Sequence, residues 1–539
     1  MSISITGIIR SLNGIYKHNL SADGILIFSS AKSACQSVCM VVSYVYTGFP
    51  ILNDRNIAMK ILVSALAAIL FLCGTSAAQD HPWTDRAQLV LDATRPLSND
   101  RGDRLPLYLW PAMDPGDLTS GDAERLLTEM DSRGIGVICS WRPDKREESL
   151  ARALTVARAH KKLGLPVNIN ATACLYPFFD GSDSTAHIDA DGTPFFDDSF
   201  GNHPMGCPFT LDTRRDAIRG QVEYFVNAYA EAGIDIDFIW ADWEVDGPIE
   251  YNRAHEASKR CVRCRENIPG IENFDTFQRT LRNIRSALQR HVFTEPVLAQ
   301  YPDALVGNYA VYPHDGWRYW YDYFEYYVDG QPAKRDGKAF YRQWYDDFPG
   351  TGYTFAMPVV YTWARLFGWY DFEDADYRWF YNMLLVAGNA CKSTPPDIPV
   401  ISFVHRSMIN PEQYPAPGLV PMSESAYREL LWHMLLRGTD AFYLWSGAKE
   451  YEDEVRPLHE VWAAAQQYGD FLEKGEPVTF DVPGRPGPVV SGLRLGDRVL
   501  VRRSEFGSGA AGPVTLTVDG KTLIIPRSPG KCLVLPLEL

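Results

Sequence analysis

Three carboxylates stand at alternate positions in residues 236–248, IDFIWADWEVDGP: Asp242, Glu244 and Asp246. Ahead of them Ile236, Phe238 and Trp240 alternate with Asp237, Ile239 and Ala241, a pattern that predicts a strand packed on both faces. Side chains two apart on a strand share a face. Asp242 and Glu244 are therefore expected to project together, with Asp246 following if the strand reaches Gly247-Pro248. Two carboxyls held side by side repel, which keeps a proton on the pair and suits general acid–base work. The bland reading is an acidic network satisfied at a sheet rim. It is the weaker one, because acids at the exit of an apolar strand are costly to bury unless paired or used.

The elements that must position this stretch follow a regular order. Strands are expected at residues 105–110, 134–141, 165–171, 236–246, 304–312, 353–363, 398–405 and 440–445. Helical periodicity falls at 120–132 (with Ser120 as cap), 147–163, 212–232, 274–290, 377–387, 423–437 and 455–472. This strand–helix alternation predicts an α/β chain, a (β/α)8 TIM barrel over 79–474 with loop insertions at 172–208 and in the aromatic segment 317–327. A doubly wound open sheet is the competitor, but no glycine-rich dinucleotide turn follows an early strand. Helix signals end near residue 475. Short strands at 489–493, 499–502, 514–518, 522–525 and 532–536, with an Asp519-Gly520 turn, predict a small C-terminal antiparallel β-domain over 475–539.

In a barrel the C-terminal ends of the strands form the active face. The residues expected there are Trp110, Trp141, Asn170, the three carboxylates, Asn308 with Tyr309, Tyr361, His405 with Arg406, and Trp445. Carboxylates ringed by Trp, Tyr, Asn and His make a site for a neutral polyol with apolar faces, that is, a sugar. The net charge of −15 argues against a nucleic-acid partner, while 14 Trp and 28 Tyr suit a carbohydrate cleft and also an ordinary aromatic core.

Asp242-Trp243-Glu244 at the end of a fourth barrel strand resembles the acidic signature of hyaluronidases and chitinase-like glycoside hydrolases. The chitinase pattern is DxxDxDxE. This chain keeps Asp237, Asp242 and Glu244 but has Trp240 at the middle Asp, a departure that hyaluronidases share. The resemblance implies a substrate-assisted retaining glycosidase. Glu244 would protonate the leaving oxygen, Asp242 would orient the 2-acetamido group of an N-acetylhexosamine, Tyr361 would hold the acetamide oxygen, and Trp445 would floor the site. Two alternatives stay open. One is a two-carboxylate glycosidase on a polysaccharide without that group, with Asp315, Asp371 or Glu412 as the second acid. The other is a catalytically silent glycan-binding barrel.

No cofactor is called for. With 11 His, no HxH pair and no HExxH, a metal-dependent hydrolase ranks low. Cys261-Val-Arg-Cys264 is a lone CxxC with no second pair at zinc spacing and only His255 nearby, so a local disulfide or plain thiols are expected, and metal ligands none. Residues 59–78 read as a signal peptide: a basic start, an apolar run at 61–73 too short to span a membrane, and small residues before Gln79. Residues 1–58 read as an upstream extension of doubtful reality. The expected product is secreted or periplasmic, with no stable membrane insertion after cleavage.

Overall fold

The computed structural model describes residues 81–539 apart from 111–113, 176–180, 198–205, 244–253, 319–326, 329–330, 333–337, 340–341, 344–345, 364–365, 368–369, 371, 410–419, 447–449, 508–511 and 538–539. The expected signal peptide and upstream extension lie outside these residues.

Eight parallel strands carry the chain: β1 (Tyr108–Trp110), β2 (Ile138–Ser140), β3 (Asn168–Asn170), β4 (Phe238–Ala241), β5 (Leu305–Asn308), β6 (Val359–Trp363), β7 (Ile401–Ile409) and β8 (Ala441–Trp445). They form two four-stranded sheets, ordered β2-β3-β4-β5 and β1-β8-β7-β6. Backbone contacts cross from one sheet to the other at both margins. Leu107 bridges Ile135 in parallel beside β1 and β2, and Thr354 donates its N–H to Val306 of β5 at 2.9 Å.

The faces of the sheets meet through aromatic rings. Tyr108 stacks on Phe238 at 4.3 Å, Trp240 packs on Tyr443 at 4.4 Å, and Phe238 stacks on Phe355 at 5.1 Å. Burying each such ring contributes roughly 1.5–3 kcal/mol. Gly307 in β5 is required here: a Cβ would sit 2.5 Å from the Phe355 ring. Ala310 ends the expected longer strand at β5, because its φ of 59° is left-handed and breaks the ladder.

Helices follow the strands as the periodicity predicts, at Ser120–Asp131, Arg146–Leu163, Asp212–Glu231, Phe274–Gln289, Ala375–Ser393, Glu424–Leu435 and Tyr451–Ala465. The first of these is capped by Thr119, not Ser120: the Thr119 hydroxyl accepts the Asp122 N–H at 3.2 Å. Among the described residues, no helix is long and apolar enough to cross a membrane.

Beyond residue 475 the chain forms an antiparallel sheet of Glu476–Pro477, Pro488–Leu495, Arg498–Glu505 and Cys532–Pro536, and a hairpin of Val514–Val518 with Lys521–Ile525. The hairpin turns through Asp519 and Gly520, both at positive φ, as a two-residue Asp-Gly turn demands. Buried polar groups lock this sheet to helix Glu424–Leu435 and the residues just after it. Arg437 donates to Ser491 Oγ and to the carbonyls of Phe480 and Asp481, while His433 sits between Ser491 and Ser504.

Candidate active site at the strand exits

The acidic segment is fixed by its neighbours before any side chain is considered. Asp242 donates its N–H to Thr172 Oγ1, just beyond β3, at 2.8 Å. Trp243 donates its N–H to Asn308 Oδ1 at 2.8 Å, and its carbonyl accepts from Asn308 Nδ2 at 3.3 Å and Arg285 Nη2 at 3.2 Å. Asn308 is wholly buried at the end of β5, so the adjacent strand sets the register of the acids. Asp242 is half-buried with Oδ1 shielded from solvent, and burial pushes its carboxyl up to about 7. Burial, reinforced by the Asp242 charge, holds the Tyr443 phenol well above its ordinary range.

A run of rings borders these groups. Trp240 packs on Tyr443 at 4.4 Å and edge-on against Trp110 at 6.1 Å. Trp110 stacks on Trp445 at 6.2 Å across the paired ends of β1 and β8. Trp445 meets Tyr361 at 5.7 Å and His405 at 4.8 Å, and the Tyr309 and Tyr361 hydroxyls are hydrogen-bonded. Trp110, Tyr309, Tyr361, His405 and Trp445 thus fall in one cluster, as their places at strand ends suggest. Asn170, in register with Trp240, uses Oδ1 to accept the Thr172 N–H at 3.0 Å and so braces the residue that holds Asp242.

Trp141 does not join them. It is wholly buried on the far face of its sheet, stacked on Phe225 at 5.0 Å and edge-on to Tyr229 at 5.7 Å, both from helix Asp212–Glu231. Its parity is opposite to that of Ser140, so it points into the helix layer. Glu244 and Asp246 lie outside the described residues, as do Asp371 and Glu412. Asp315 is engaged in a turn, accepting the Trp317 N–H at 3.0 Å and an Asn389 amide hydrogen at 3.3 Å. Asp237, at the opposite end of β4 from Asp242, accepts the Val167 N–H at 2.7 Å and joins β3 to β4.

Two contributors escaped the sequence reading. Glu454 is wholly buried and places Oε2 3.0 Å from His405 Nδ1, while also accepting the Arg406 N–H at 3.2 Å. It therefore fixes the imidazole ring and favours a proton on Nδ1. An acid aligned with Leu458, Val461 and Ala465 on the buried stripe of its helix was the available signal. Thr172 carried none, since a threonine in a loop is ordinary.

A separate cluster gathers His187, Cys207, Cys261 and Cys264, all buried, with their donor atoms within 4.8 Å of one another. Of the two outcomes expected for Cys261 and Cys264, a local disulfide or plain thiols, the structure has thiols: the cysteines among the described residues are free. Cys207 and His187 join them from distant segments, which the spacing of the CxxC pair alone does not bring together. His255 stays apart, with Nε2 2.6 Å from the Ile271 carbonyl and its ring on Phe277.

No family model matches the chain, and no curated protein does. Similar solved structures include an α-L-fucosidase isoenzyme 2 from Paenibacillus thiaminolyticus, at 13% identity and TM-score 0.41 over 70% of this chain. A β-galactosidase from Halorubrum lacusprofundi matches at 13% identity and TM-score 0.39 over 69% of this chain. A GH36 α-galactosidase from Geobacillus stearothermophilus matches at 13% identity and TM-score 0.39 over 82% of this chain. The chain spans just over half the length of these structures: 51%, 59% and 56% in turn.

Proposed function

We propose that this chain is a glycoside hydrolase acting on carbohydrate, exported after removal of residues 59–78. In this reading the two sheets close into a (β/α)8 barrel that carries a C-terminal β-domain. The observation that carries the proposal is the Asp242 carboxyl, raised by burial to about 7 at a strand exit bordered by aromatic rings. Near neutral pH such a group shares a proton with a neighbouring acid instead of simply ionising. Glu244, two residues on, delivers that proton to the leaving glycosidic oxygen, while Asp242 orients and then stabilises the 2-acetamido group of an N-acetylhexosamine. Tyr361 donates to the acetamide oxygen, with Tyr309 hydrogen-bonded to it. Trp110 and Trp445 offer their faces to the C–H surfaces of the sugar, and His405, held by Glu454, reads a hydroxyl.

The test is a glycan panel digested by the wild type, Glu244→Gln and Asp242→Asn, and analysed for released sugars. Cleavage restricted to acetamido sugars and lost in both variants supports the reading. Cleavage of polymers lacking that group keeps the hydrolase and ends substrate assistance. Binding without cleavage of any glycan points to the silent binder.

A further inference from the structure

We infer that His187, Cys207, Cys261 and Cys264 bind one zinc ion as a closed Cys3His site. Cys207 Sγ lies 3.6 Å from Cys264 Sγ and 4.0 Å from Cys261 Sγ, and Cys264 Sγ lies 3.8 Å from His187 Nδ1. With Zn–S near 2.3 Å and Zn–N near 2.0 Å, a tetrahedron has edges of roughly 3.8 Å between sulfurs and roughly 3.5 Å between sulfur and nitrogen. A disulfide needs its sulfurs at about 2.05 Å. The spacing is that of ligands around an ion.

The surroundings agree. All four side chains are wholly buried, and His187 Nε2 makes no hydrogen bond among the described residues. The imidazole is otherwise held by stacking on Phe195 at 5.2 Å. Hydrogen bonds to backbone carbonyls hold the donor segments together independently of any ion. Cys207 donates its N–H to the Thr185 carbonyl at 2.8 Å, and Arg263 Nη1 reaches the Ala186 carbonyl at 3.0 Å. The CxxC spacing sets Cys261 at the cap of helix Val262–Asn267 and Cys264 within it, so both sulfurs face one side. Three thiolates and an imidazole form a soft, tetrahedral set that suits zinc better than magnesium or calcium. Four protein ligands leave no open position, so the ion is structural. His187 and Cys207 belong to the connection after β3, and Cys261 and Cys264 to the connection after β4. The ion therefore cross-links the segment that leaves β4 past Asp242 to the segment that leaves the neighbouring strand β3.

The experiment is elemental analysis of the purified full-length chain, with cobalt replacement and mass-spectrometric thiol mapping without reductant. One zinc per chain is expected. The cobalt form should show intense tetrahedral d–d bands and thiolate charge-transfer bands. Cys207, Cys261 and Cys264 should resist alkylation until a chelator removes the ion. Cys264→Ser and His187→Ala should lower zinc content about tenfold or more, Cys391→Ser should leave it unchanged, and His187→Cys should retain zinc with stronger charge-transfer absorption. Should a variant fail to fold, the wild-type stoichiometry and thiol map decide. Zinc far below one per chain after purification with added zinc, or a disulfide joining any two of the three cysteines, overturns the proposal.

Discussion

The two ends of β4 hold the same residue type and use it differently. Asp237 at the entry and Asp242 just past the exit both have carboxyls raised by burial. At the entry the carboxylate is answered by the Val167 N–H of the neighbouring strand. Asp440 repeats the device before β8, accepting the Val400 N–H at 2.7 Å, with its carboxyl raised by burial to about 6. A raised pKa therefore does not mark chemistry by itself. The distinguishing feature is the setting of the carboxyl: at the entry a backbone donor that fixes two strands, and at the exit a border of aromatic rings.

That contrast breaks most sharply under conservative substitution. Asp242→Asn is expected to lower glycan cleavage by about 10²- to 10⁴-fold, whereas Asp237→Asn and Asp440→Asn, which keep an acceptor oxygen, should leave turnover of the folded enzyme unchanged; steady-state kinetics on one acetamido substrate decides. Removing the acceptor altogether reverses the order. Asp237→Ala and Asp440→Ala leave a part-buried N–H without its acceptor and should cost about 1 kcal/mol in denaturant unfolding.

The aromatic residues give a second contrast of the same kind. If Trp110 offers its face to the sugar as proposed, Trp110→Ala should raise KM about tenfold, while Trp141→Phe should leave KM unchanged and lower only the unfolding midpoint.

A last contrast is in pH dependence. The folded-state pKa values of Asp242 and Asp440, about 7 and about 6, lie above the unfolded carboxylate value. The native state then binds more protons than the unfolded chain, so both groups favour folding below pH ~4 and lose that advantage as pH rises toward 7. Melting temperatures measured from pH 4 to 8 should fall, and Asp242→Asn should flatten the upper part of that fall. An unchanged slope in the variant would remove Asp242 from the set of raised groups.

Much of this was legible in the sequence because it is local. Strand–helix alternation is written in periodicity, and the acids at the end of the fourth strand are written in their order. The Asp519-Gly520 turn follows from the two positive φ angles that a short hairpin needs. Strand parity was equally visible at Trp141, but parity says only which side chains share a face; the packing of helix Asp212–Glu231 decided which face was covered.

What tertiary structure alone decided lies where the chain returns to itself. Glu454 reaches His405 from 49 residues away, and Cys207 reaches Cys261 and Cys264 from 54 and 57. His187 stands 77 residues from Cys264. No local propensity encodes such meetings. They follow from the cost of leaving a buried acid, thiol or imidazole without a partner, and that cost exists only after the fold has buried them.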